Sequence, residues 1–253
     1  MAPMSLFIIL ILGCTDADPT DTAVADTHST VVDSNTCCTN EPPPDLEVEA
    51  VIAPENLIAS AERTSDNPLK GFMTSYRWGS PVNDFPDQME FLYIPMADVW
   101  DENGPTLETG LDPLLDQAAT RSHHVVLRVY IDYPKLESGL PDYLSSLVSC
   151  QPYNHFGEGC SPDYDDPDLL QAMLGLIEAL GKRYDGDTRL GFVQVGLVGF
   201  WGEWHTWPYP EWFPTLETQE AILNAYDDAF KTTQLQIRRA AANSVSLRMG
   251  FHD

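Results

Sequence analysis

Apolar and polar positions along this chain settle, after Asn67, into a repeating exchange between short strand-like runs and longer stretches of helical spacing. Leu190 to Val198 (LGFVQVGLV) is nearly continuous in apolar residues, the pattern of a strand buried on both faces and so of a parallel strand inside an α/β protein. Gly71 to Tyr76, Phe91 to Val99 (FLYIPMADV), His124 to Tyr130 (HVVLRVY) and Ser246 to Phe251 (SLRMGF) complete a set of five predicted strands. Between them, Leu170, Met173, Leu174, Ile177 and Gly181 recur at helical spacing, as do Ile222, Tyr226, Ala229 and Phe230. These stripes are core-facing. Asp112-Pro113 and Asp166-Pro167 each put an acidic N-cap before a proline at the first helical position.

Strand and helix in alternation point to parallel βα units. An eightfold barrel takes about 250 residues, whereas about 185 follow Asn67. The expectation is therefore an α/β fold of (β/α)8 TIM-barrel type over residues 67–253, truncated after its fifth strand, with a smaller open sheet as the other possibility. A sheet ending flush with a strand would leave an edge unpaired.

The first 66 residues read differently. Leu6 to Leu12 (LFIILIL) is apolar but too short to span a bilayer as a helix, and Gly13-Cys14 follows it. Ile11-Leu12-Gly13-Cys14 resembles a bacterial lipobox, which implies a signal peptide over 1–14 and a lipidated Cys14; no Lys or Arg precedes Arg63, so the usual basic segment is missing. Residues 15–66 begin as Thr, Asp, Ser and Pro with little to bury, predicting a disordered acidic tether. Together these features predict an exported protein of the cell envelope, held to a membrane, as an outer-membrane lipoprotein would be, through Cys14.

Charge narrows the partners. Thirteen Lys and Arg against 39 Asp and Glu give a net charge of −26, which argues against nucleic acid and anionic membrane surfaces as partners. Cys150 and Cys160 bracket the loop QPYNHFGEG, and an oxidising compartment predicts a disulfide there, adding roughly 3 kcal/mol by loop closure. Cys37-Cys38 is compatible with a vicinal pair or with a bond to another chain. With no CxxC or HExxH pattern, no metal and no cofactor is expected. Asp163, Asp165, Asp166 and Asp168 lack the spacing of a calcium loop and read as a solvated turn with an N-cap.

Chemistry concentrates in Gly199-Phe200-Trp201-Gly202-Glu203-Trp204-His205, just past the carboxyl end of the predicted fourth strand, where α/β folds build their sites. Trp207, Tyr209 and Trp212 follow in a segment broken by Pro208, Pro210 and Pro214, so they read as loop aromatics. Flat rings beside a carboxylate suit the C–H faces of a pyranose, and the rings would raise the pKa of Glu203 by desolvation, as a general acid requires. The alternative is a core cluster in which Glu203 pairs a buried arginine. Arg128 within the third strand is placed either to hold Glu203, to contact a sugar hydroxyl or to serve in a structural ion pair. Tyr130, Asp132 and Tyr133 fall where that strand meets its loop, and His205 is placed to orient Glu203 or touch ligand.

Asn67-Pro68-Leu69-Lys70-Gly71-Phe72, Leu127-Arg128-Val129-Tyr130 and Val193 to His205 together resemble a bacterial family of glycosidase-like TIM-barrel proteins, a domain of unknown function. Gly250-Phe251-His252-Asp253 is similar to that family's fifth-strand end. The resemblance implies a (β/α)8 barrel and a carbohydrate ligand. In retaining glycosidases of this plan the acid/base glutamate follows the fourth strand, matching Glu203, while the nucleophile follows the seventh, for which no counterpart exists. A second carboxylate would then come from Asp132, Asp253, Asp98 or a segment outside the chain, at about 5–9.5 Å from the first. The leading expectation is a lipid-anchored glycoside hydrolase-like protein, with Glu203 as general acid/base and Trp201, Trp204, Trp207 and Trp212 as the sugar platform. A non-catalytic carbohydrate-binding or structural surface lipoprotein is the alternative.

Overall fold

The computed structural model describes Leu69 and residues 72–76, 87–239 and 247–251. Cys14, Cys37, Cys38, Asp253 and the segments expected to be a signal peptide and a tether lie outside them. The elements run β1 (Phe72–Ser75), β2 (Asp87–Pro95), a 3-10 turn (Met96–Asp98), β3 (Trp100–Asp101), β4 (Gly104–Pro105), α1 (Leu107–Gly110) and α2 (Asp112–Thr120). They continue with β5 (His124–Tyr130), α3 (Asp142–Ser145), β6 (Cys150–Tyr153), β7 (Gly159–Pro162), α4 (Pro167–Tyr184) and β8 (Leu190–Gln194). A second 3-10 turn (Pro210–Trp212), α5 (Leu216–Ala229), β9 (Gln234–Ile237) and β10 (Met249–Phe251) complete the series.

Six strands form one sheet in the order β1-β2-β5-β8-β9-β10, and every neighbouring pair is parallel. Chain order and spatial order coincide. Described helices lie between β2 and β5, between β5 and β8 and between β8 and β9, and the strand order is that of a (β/α)8 barrel, of which the described residues supply six strands. The sequence predicts five. The missed one is β9, because its four residues QLQI carry two glutamines and no apolar run. Ser246 to Phe251 is consequently the sixth strand of the sheet and not the fifth. Boundaries shift too: β2 starts at Asp87, and β8 stops at Gln194, after which the predicted strand continues as loop.

Alternation within β5 sorts the two faces of the sheet. Val125, Leu127, Val129 and Ile131 join Leu92, Ile94, Val193, Leu235 and Ile237 in one apolar core with the helices. To that core α4 contributes Leu169, Met173, Leu176, Ile177 and Leu180, and α5 contributes Ile222, Leu223 and Tyr226. Arg128, Tyr130 and Asp132 therefore point to the other face, where Tyr93, the register partner of Arg128, also projects. The helix starts differ from each other. Asp166 caps α4 by accepting from the backbone N–H groups of Asp168 and Leu169, as predicted. Asp112 caps nothing; it is the first residue of α2, and its carboxylate takes hydrogen bonds from Arg183 and from Tyr184. Asp165, in the acidic turn before α4, accepts from the Thr215 N–H and hydroxyl, which ties that turn to the start of α5.

Candidate functional site

Past β8 the backbone turns with unusual density of left-handed positions: Leu197, Gly199, Trp201, Gly202 and Trp204 all have positive φ. Only glycine takes such values without cost, so the segment stores strain of the kind found at binding and catalytic loops. At Gly199 (φ 78°) the fold demands glycine twice over, since a Cβ there would sit 2.4 Å from the His205 carbonyl oxygen. Phe200 donates its N–H to that same carbonyl, and the Trp201 N–H bonds the Asp132 carbonyl at 2.8 Å. The loop after β8 is thus pinned to the end of β5.

This turn aims Glu203 at Arg128. The guanidinium is 2% exposed, and its Nη1 donates to Glu203 Oε1 at 2.9 Å. Its Nε donates to Gln194 Oε1 at 2.8 Å, and its carbon centre lies 4.3 Å from the Tyr93 ring centroid, a cation–π contact. From the other side Arg238 Nη1 approaches Glu203 Oε2 at 2.9 Å, with His205 Nε2 at 3.7 Å from the same oxygen. Burial alone would push the carboxyl up. The nearby His205 ring, the hydrogen bond from Arg128 and the charges of Arg128 and Arg238 outweigh it and hold the pKa at about 2. The expected raised pKa is therefore corrected: the two guanidinium groups hold the Glu203 carboxyl well below the usual carboxylate range, which favours its charged form.

Asp132 behaves in the opposite sense. It is 3% exposed, and burial pushes its pKa up to about 6 against the hydrogen bond it accepts from the Tyr153 hydroxyl and the weaker influence of the Ser161 hydroxyl nearby. Its second oxygen and the hydroxyls of Ser161 and Tyr164 are all buried, and none of the three makes a well-formed hydrogen bond among the described residues. Tyr153 and Ser161 come from the hairpin β6–β7, closed by a Cys150–Cys160 disulfide with a Cα separation of 5.5 Å, as the cysteine spacing predicts. Nothing in the sequence around Tyr153 announces this role, because the contact spans the loop after β5 and depends on how the disulfide folds the hairpin back.

The aromatic residues divide. Trp204, predicted as platform, is 2% exposed, joins the apolar core and donates its indole N–H to the Val195 carbonyl at 2.8 Å. It is a core residue, placed there by its left-handed backbone. Trp201 is half-buried and meets Tyr133 edge-on at 6.4 Å and Phe156 at 5.0 Å. Trp207 is 59% exposed, with His155 and Phe156 beside it. Trp212 stacks on Tyr209 with centroids 3.9 Å apart and planes 19° from parallel. Tyr130 is buried against Tyr133. Asp98 is exposed in the 3-10 turn after β2, where its charge is felt by Tyr130. It is not among the groups bonded to Glu203. Asp253 lies outside the described residues. Sequence reasoning missed Tyr93, Gln194, Tyr153, His155, Phe156 and Arg238. Gln194 carried a signal, being the one polar residue inside LGFVQVGLV. Among the described residues no group of three or more His, Cys, Asp or Glu is placed to hold a metal ion.

No protein-family model matches the chain, and no curated protein sequence matches it. Solved structures similar to it include endo-glycoceramidase II from Rhodococcus sp. in a lactosyl-enzyme form (14% identity, TM-score 0.41, 73% of this chain and 56% of that one). Others are the GH10 xylanase of Thermobacillus composti (14%, 0.39, 69% and 47%) and GH5_18 from Bifidobacterium longum subsp. longum (13%, 0.40, 60% and 35%). The chain spans about a third to just over half the length of these structures.

Proposed function

We propose that this chain is an exported, Cys14-anchored protein that binds carbohydrate at the carboxyl edge of its parallel sheet. The observation that carries the reading is a carboxylate held in its charged form by Arg128 and Arg238, in a loop that also carries the half-buried ring of Trp201 and the exposed ring of Trp207. Sugar hydroxyls donate well to a charged acceptor, and indole faces cover pyranose C–H surfaces. Glu203 acts here as an acceptor and an electrostatic anchor. A hydrolytic reading is favoured by the burial of Asp132, whose second oxygen makes no hydrogen bond among the described residues and whose carboxyl is pushed up to about 6 by desolvation. In that reading Asp132 supplies the proton, Glu203 supplies the negative charge that an oxocarbenium-like transition state requires, and the hairpin moves to uncover Asp132.

Affinity electrophoresis against a panel of soluble polysaccharides tests the binding reading. Trp207→Ala is expected to weaken retention by about tenfold while leaving thermal stability unchanged, since the ring contributes contact area at the surface. Retention of no polysaccharide by the unaltered protein, or an unaltered affinity in the Trp207 variant, would overturn it.

The anchor is tested separately. Cys14→Ala is expected to move the protein from the membrane fraction to the soluble fraction, with the mass of the lipid lost. A variant that stays with the membrane at unchanged mass would remove Cys14 as the anchor.

A further inference from the structure

The turn of the hairpin β6–β7 carries His155 and Phe156, which pack toward Trp207 and Trp201. Trp201 in turn meets the ring of His205, whose Nε2 lies 3.7 Å from Glu203 Oε2. The same hairpin borders a groove of about 660 Å3 lined by Pro152, Tyr153, Asn154, Glu158, Tyr209 and Trp212. Its volume falls within the range of about 300–1,000 Å3 usual for small-molecule sites. Rings connect the groove to Trp201. Centroid distances run 5.0 Å from Trp201 to Phe156, 5.8 Å on to Trp207, 5.2 Å to His155, 6.3 Å to Tyr209 and 3.9 Å to Trp212.

We propose that this groove is a second saccharide position, occupied by the far end of a neutral oligosaccharide whose near end sits beside Glu203. The inference rests on the carbohydrate reading above and adds to it the length and charge of the ligand. The unbroken run of rings gives a chain of sugar units apolar surface along its course. At the groove, Tyr209 and Trp212 are already ordered by stacking on one another, so little side-chain freedom is lost when a pyranose covers them. Exposed Asn154 offers a donor and an acceptor, and exposed Glu158 offers two acceptor oxygens, the groups that vicinal hydroxyls need. Glu158 is also the one charged residue of the lining among the described residues, in a chain of net charge −26, so the groove repels acidic sugars. Proline at position 152 and the Cys150–Cys160 bond fix the shape of the hairpin itself, so its groove-facing residues keep their mutual spacing.

The test is equilibrium binding of neutral gluco-, manno- and xylo-oligosaccharides, from disaccharide to hexasaccharide, to the whole chain and to Trp212→Ala and Asn154→Ala. Asn154 is exposed, so its variant keeps the fold should the indole change disturb it. Expected is an affinity that rises with chain length in the unaltered protein. In both variants about tenfold of that gain is lost for the hexasaccharide, while disaccharide binding is unchanged. Equal losses for short and long sugars, no loss in either variant, or no length dependence in the unaltered protein would overturn the second position and leave the central reading standing. Binding of no member of the three series would overturn both.

Discussion

Replacing Glu203 by alanine is expected to destabilise the protein by about 3–5 kcal/mol at neutral pH, the range for removing one partner of a buried ion pair. The cost is carried by Arg128, whose guanidinium is 2% exposed and would keep its charge with Gln194, the Trp201 carbonyl and the Tyr93 ring as its remaining contacts. Glu203→Gln retains an acceptor for Arg128 Nη1 and loses only the charge, so its cost should be about half as large. Replacing Arg128 and Glu203 together, Arg128→Met with Glu203→Leu, should recover part of the loss, because it removes the buried guanidinium with the carboxylate, while Arg238 and Gln194 each still lose a partner. Denaturant unfolding midpoints of the four proteins measure these differences. If Glu203→Ala unfolds at the same midpoint as the unaltered chain, the arginine is satisfied without the glutamate and the ion pair is not structural. The same series separates stability from binding, because Glu203→Gln should weaken saccharide retention even where its fold is intact.

The period of the apolar pattern made the fold class legible. β5 and β8 are buried on both faces and read plainly, and Asp166-Pro167 marked the start of α4 to the residue. β9 escaped because glutamines at 234 and 236 suppress the apolar run. One of them, Gln236, pairs in register with Gln194, so the polarity that hid the strand belongs to the sheet face that carries the site. Glu203, Arg128 and the disulfide were also visible, as a carboxylate past a strand end, a cation inside a strand and a pair of cysteines bracketing one loop. What could not be read was the sign of the pKa shift. Aromatic neighbours suggested desolvation, but two guanidinium groups decide the matter, and Arg238 lies at the end of the strand that was missed. Trp204 illustrates a different limit. Nothing in Gly-Glu-Trp-His distinguishes a platform ring from a core ring until the left-handed backbone at Trp201 and Trp204 turns one toward the surface and the other inward.

Asp132→Asn is expected to make the protein more stable at pH 7, by up to about 3 kcal/mol, and the gain should vanish as the pH falls to about 4. In the unfolded chain an aspartate titrates near 3.8, while in the fold Asp132 titrates at about 6. Between those values the native state holds a proton that the unfolded state has released, so stability from this group is complete below about pH 4 and declines as pH rises to about 6. The separation of the two pKa values corresponds to about 3 kcal/mol. Glu203 works in the other direction. Its contribution is complete above its unfolded value of 4.5 and is lost as pH falls toward about 2. The difference between Asp132→Asn and the unaltered chain cancels Glu203 and every other group, leaving the Asp132 window alone. Asparagine preserves an acceptor for Tyr153 and places an amide N–H2 near the buried Ser161 and Tyr164 hydroxyls, so the substitution does not empty the site. Chemical denaturation across pH 3.5–8 gives the comparison. A stability difference that stays constant over that range would mean that Asp132 is already ionised at pH 4 in the fold, and the hydrolytic reading that depends on its proton would fall with it.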